Sequence, residues 1–78
     1  MAKLNWEAFD AKYEGAIKQV AAKNDVDKGV GRDMLIKMIC EPDDAHREEA
    51  IRLYGPVPDG IDHEEFKAAW HEVVGEKE

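Results

Sequence analysis

The sequence predicts an all-α domain of four short helices, arranged as two helix–loop–helix units. Three observations lead there. Apolar residues recur at spacings of three and four along most of the chain. Glycine, proline, asparagine and aspartate gather between those stripes. No long strand is read anywhere. With 78 residues the chain makes one domain, residues 1–78, with a modest core: a chain this short buries only about 60% of the surface it exposes when unfolded.

Trp6, Phe9, Tyr13, Ala16, Ile17 and Val20 lie on one helical face, which predicts a first helix over about 5–22. Asn24 to Gly31 reads as a turn-rich break. Met34, Leu35, Met38 and Ile39 carry a second, shorter helix over about 32–40. Pro42, Asp43 and Asp44 open a third, because proline suits a first turn and acids suit the positive end of the helix dipole. Ala50, Ile51, Leu53 and Tyr54 are its expected buried face, and Gly55 its stop. After the loop Pro56-Val57-Pro58-Asp59-Gly60, Asp62 is the expected N-cap of a fourth helix, with Glu65 completing a capping-box-like pair. Phe66, Ala69, Trp70, Val73 and Val74 form its stripe, and Gly75 to Glu78 is an expected frayed tail.

The halves echo each other. Gly29-Val30-Gly31-Arg32-Asp33-Met34-Leu35 lies over Gly60-Ile61-Asp62-His63-Glu64-Glu65-Phe66, each reading glycine, a β-branched residue, a cap region and a helix opening on a large apolar side chain. The second half resembles an EF-hand. Glu49-Ala50-Ile51-Arg52-Leu53-Tyr54 resembles the entering helix, and Asp59-Gly60-Ile61-Asp62-His63-Glu64-Glu65-Phe66 the end of the loop. The resemblance implies a short two-residue β pairing between Val30 and Ile61, with Glu65 as the bidentate ligand. The departures are substantial. The loop from Gly55 to Glu65 is one residue short, with Gly55 and Val57 at the first and third ligand positions. The first loop keeps Asp25 and Asp27 but has Met34 where the closing glutamate belongs. Calcium needs six to eight oxygens, so neither loop is expected to bind it at micromolar levels. What the resemblance implies is a degenerate EF-hand pair, a single calmodulin-like or light-chain-like lobe acting as a constitutive peptide grip. Asp59 to Asp62 also reads as an ordinary turn followed by a helix cap.

Catalytic chemistry has little to stand on. The chain contains neither serine nor threonine, which removes those nucleophiles and Ser/Thr phosphorylation. Cys40 is the single cysteine, and behind Met38 and Ile39 it reads as a small buried hydrophobe. His63 and His71 are two helical turns apart, too far to share one metal ion, and His46 stands elsewhere; all three read as surface residues. No phosphate-cradling glycine loop is present. The expectation is a non-enzyme with no cofactor and no metal site.

Charge narrows the partner. Eighteen acids against eleven Lys and Arg leave a net charge of −7. Nucleic acids and anionic membranes are repelled by such a chain, whereas a basic protein surface or basic amphipathic helix is attracted. No apolar run has the length of a membrane span, and the opening residues from Met1 to Glu7 lack the apolar stretch of a signal peptide. A soluble, cytoplasmic placement is expected.

Methionine fills core gaps but also lines adaptable grooves, and tryptophan serves as core or as anchor. The expected function is a calcium-independent protein-binding module. It would hold a basic amphipathic helix in an apolar groove formed by Met34, Met38, Phe66 and Trp70, with an acidic rim that includes Glu48 and Glu49. The alternative is a small acidic inhibitor of the phage type, which blocks a nucleic-acid-binding surface by presenting carboxylates in place of phosphates.

Overall fold

A computed structural model describes residues 5–75. The chain is all-helical, with five helices rather than four: α1 (Trp6–Lys12), α2 (Glu14–Asn24), α3 (Lys28–Cys40), α4 (Asp44–Tyr54) and α5 (His63–Val74). Among the described residues there is no strand.

The expected first helix is two. Asn5 caps α1 by accepting a hydrogen bond from the Ala8 N–H at 2.8 Å. The chain then bends at Tyr13, whose φ of −113° and ψ of 24° leave the helical region. The bend aims Phe9 and Tyr13 together at Phe66, with ring centroids 5.2 and 4.8 Å from it. The apolar period does not register the bend. The Tyr13 N–H still donates to the Phe9 carbonyl at 3.1 Å, and Ile17 N–H to the Tyr13 carbonyl at 2.9 Å, so the stripe keeps its phase. Gly15, a poor helix former, lowers the cost of a break just before it.

The second helix starts at Lys28, a full turn before the expected Arg32. Asp25 closes α2 in the left-handed conformation (φ 57°) and Val26 N–H reaches back to the Ala21 carbonyl at 3.0 Å. Asp27 then caps α3 by accepting from Val30 N–H at 3.0 Å. Gly29 and Gly31 resemble turn formers in sequence, yet both are helical. Gly31 is needed because α2 crosses there: a Cβ on it would stand 2.8 Å from the Ala21 Cβ. Val30 is accordingly helical and 42% exposed, and the expected pairing with Ile61 does not form.

Asp43 and Asp62 cap α4 and α5. Asp43 accepts from Ala45 and His46 N–H, and Asp62 from Glu64 and Glu65 N–H. The capping box is only half realised, since the Glu65 carboxylate pairs with Lys12 at 3.1 Å. α3 is the central element, packing against α2, α4 and α5. Phe9, Tyr13, Ile17, Val20, Leu35, Met38, Ile39, Ala50, Phe66 and Ala69 form the core. Asn24 ties the ends of α2 and α4 together, its side-chain amide donating to the Val20 and Tyr54 carbonyls at 2.9 and 3.1 Å.

Candidate protein-binding surface

The four expected anchors separate into two sets. Met38 is 1% exposed and Phe66 0%, so neither touches a partner in this conformation. Met38 falls on the central line of α3 between Leu35 and Ile39, and Phe66 is enclosed by Phe9 and Tyr13. Met34 and Trp70 are half-buried at the edge of the core. Leu53, expected inside, is 61% exposed.

Trp70 stands over a cleft of about 140 Å³ between α5 and the C-terminal end of α3, lined also by Ile36, Lys37, Cys40, Glu41 and Pro42. A second cleft of about 180 Å³ runs along the other side of that helix end. Lys37 and Glu41 line it too, with His46, Glu49, Ala50, Leu53 and Tyr54. Because Lys37 and Glu41 belong to both, the clefts adjoin. The outer side of α3 is thus flanked by Trp70 on α5 and Leu53 on α4. Glu48 and Glu49 are exposed on α4, as expected of a rim. Ile36, Pro42 and Leu53 were not among the expected contacts. Ile36 and Leu53 lie at the flanks of their stripes and Pro42 in the connection between α3 and α4, and only the packing of neighbouring helices distinguishes such positions from the core.

The chemistry of the Trp70 cleft is that of an apolar seat. Burial pushes the Cys40 thiol up to about 11, with Lys67 opposing weakly. At neutral pH the group is a protonated thiol and a poor nucleophile. The three histidines are exposed. His71 stacks edge-on against Trp70 at 5.0 Å, and His46 lies 3.6 Å from Asp43 and 3.9 Å from Glu41. Two carboxylates of the EF-like loops have other partners: Asp27 and Asp62 each accept helix-capping amides. Among the described residues no three His, Cys, Asp or Glu side chains converge as a metal site would require.

A third hollow, of about 220 Å³, lies between α1, α2 and the start of α3, lined by Asp10, Ala11, Glu14, Ile17 and Lys28. Its charges are mutually engaged. Glu14 pairs with Lys18 at 3.4 Å and Lys28 at 3.7 Å, and Asp10 with Arg32 at 2.9 Å. Among the described residues no helix is long and apolar enough to cross a membrane. No protein-family model, curated protein or solved structure matches the chain.

Proposed function

We propose that the chain is a non-enzymatic protein-binding module that holds an amphipathic helix with a basic polar face, without calcium. The contact surface is the pair of adjoining clefts on the outer side of α3. The observation that carries this is the shared Lys37–Glu41 boundary, which joins the Trp70 cleft to the Leu53 cleft. An apolar seat at Trp70 beside a mixed one, where Leu53 and Tyr54 meet Lys37, Glu41, His46 and Glu49, suits successive turns of one amphipathic helix, the pattern of helix-in-groove recognition. The net charge of −7, with Glu41 and Glu49 lining the clefts and Glu48 beside them, supplies attraction for lysines and arginines on the same helix. Within this proposal α4, the loop through Asp59-Gly60-Ile61-Asp62, and α5 act as one degenerate EF-hand-like grip.

A second reading, the acidic inhibitor, draws support from the closure of Met38 and Phe66 into the core, which leaves charge as a larger share of what a partner meets. Salt separates the two. A grip resting on apolar burial is little affected by ionic strength, whereas a phosphate mimic loses most of its affinity. The probe is a synthetic amphipathic helix of leucine and lysine, about five turns long, titrated calorimetrically into the protein. Between about 0.05 and 0.5 M salt, affinity should fall by less than about tenfold on the grip reading. A fall beyond about a hundredfold supports the charge mimic, and no binding at either salt rejects the grip.

A further inference from the structure

We propose that α1 is a strap which occupies in cis part of the seat a partner helix takes, and that binding lifts it. The inference rests on the helix-grip function above and adds what uncovers the rest of the groove.

The seam beneath α1 is held by opposing effects. In its favour, Phe9 covers Phe66, Trp6 packs edge-on against Phe9 at 5.5 Å, and Arg32 lies over the Trp6 ring at 4.4 Å. Two ion pairs close it, Lys12 with Glu65 and Arg32 with Asp10. Against it stand three polar atoms. Asp10 Oδ1, Tyr13 Oη and Arg32 Nε are the buried side-chain polar atoms that lack a hydrogen-bond partner among the described residues, and all three lie at this seam. A buried polar atom without a partner carries a desolvation cost, reduced for Asp10 and Arg32 because their Oδ2 and Nη1 atoms pair with each other at 2.9 Å. Lifting α1 returns all three to water.

The chain also has somewhere to put α1. The first N–H groups of α2, on Glu14, Gly15 and Ala16, have no acceptor within their own helix. If α1 swings into line with α2, they bond to the carbonyls of Asp10, Ala11 and Lys12. The apolar stripe from Trp6 to Val20 already keeps one phase across the bend. The lifted form therefore gains backbone bonds and hydration but exposes Phe9 and Phe66, so it is a minor population until something covers Phe66 again.

The shape of the strap describes what replaces it. α1 and its cap residue present apolar side chains at Trp6, Phe9 and Tyr13 and a lysine at position 12 that meets Glu65. An occupant with the same spacing, apolar at i, i+3 and i+7 and basic beside the last, restores both the ring packing and the ion pair. Phe66 and Trp70 lie one turn apart on α5, so the uncovered seat is continuous with the Trp70 cleft.

The experiment is amide hydrogen exchange on the full chain, with and without the leucine–lysine peptide, together with the peptide affinity of Trp6→Ala. Trp6 is 37% exposed at the edge of the seam, where it meets Phe9 within α1 and Arg32 on α3, so its removal loosens α1 while leaving the buried core in place. In the free protein, amides from Ala8 to Tyr13 should open as one unit. With peptide bound, the Glu14, Gly15 and Ala16 amides, which gain acceptors in the lifted form, should exchange at least tenfold more slowly, as should those of α3 and α5. Trp6→Ala should bind the peptide more tightly, by several-fold. Protection that rises gradually from Ala8 to Tyr13 would mean ordinary end fraying and overturn the strap. So would Glu14, Gly15 and Ala16 amides whose exchange is unchanged in the complex, or weaker binding by Trp6→Ala; both leave the Trp70 cleft as the binding site. Failure of both proteins to bind peptide overturns the function and the strap together.

Discussion

Phe66→Ala is expected to leave the protein largely unfolded at room temperature. Phe66 is fully buried and is the meeting point of α1 and α5, with Phe9 and Tyr13 packed on its ring at 5.2 and 4.8 Å. Truncating a buried phenylalanine costs about 3–5 kcal/mol, from the lost transfer energy plus the cavity left behind. Small domains have only about 5–15 kcal/mol in total. The aromatic ring pairs add to the loss, since each is worth about 0.5–1.5 kcal/mol beyond simple burial. Circular dichroism should show most of the helical signal gone. A variant that melts within a few degrees of the parent would mean that Phe66 does not hold α1 to α5.

Gly31→Val should be nearly as damaging, for the opposite reason. At Gly31 the backbones of α2 and α3 approach so closely that a Cβ would stand 2.8 Å from the Ala21 Cβ and 3.1 Å from its Cα and nitrogen. These are not flexible side-chain ends, so α2 and α3 must separate. Overpacking of that kind costs about 1–3 kcal/mol, and the branched side chain places this substitution at the upper end. Gly15→Ala is the internal control. It is helical with nothing within 4 Å of the added methyl, and alanine should stabilise it by up to about 1 kcal/mol. Thermal melts of the two variants should move in opposite directions. Equal destabilisation would show that loss of glycine as such, not the α2–α3 crossing, is responsible.

What the sequence revealed of this fold follows from what periodicity can report. The stripe of α5, its cap Asp62 and the opening of α4 around Asp43 and Asp44 were legible because the signals are local: acids at a helix start, and apolar residues three and four apart. The bend at Tyr13 was not legible, because the hydrogen bonds on either side keep the stripe in phase while the axis turns. Gly29-Val30-Gly31 was misread as a turn because glycine has two uses, and a close helix crossing looks in sequence like a loop. Once those residues are helical, the expected Val30–Ile61 pairing has no strand to form from.

The candidate site divides in the same way. The exposure of Glu48 and Glu49 was legible from their charge, whereas Trp70 reads in sequence as either core or anchor and lies half-buried between the two. Met38 and Phe66 were chosen for the same chemistry, but helical spacing does not say whether an apolar residue faces the centre of a bundle or a groove at its side. Leu53 was misplaced by that ambiguity in the other direction: it extends the stripe of α4 but falls on the edge of its buried face, beside Lys37 of α3 and its cap residue Glu41.

The central claim is that apolar seating at Trp70, not acidic charge, holds the partner helix. Calorimetry of the leucine–lysine peptide against Trp70→Ala and against the double reversal Glu48→Lys/Glu49→Lys tests it most directly, with circular dichroism to establish that each variant is folded. Truncating an aromatic anchor should weaken binding by tenfold or more, since such residues typically contribute about 2 kcal/mol or above. The double charge reversal should cost less than Trp70→Ala, because exposed charges contribute only about 0.2–1 kcal/mol each. Loss of binding in the charge reversal with Trp70→Ala unaffected would contradict the account and establish the acidic inhibitor in its place.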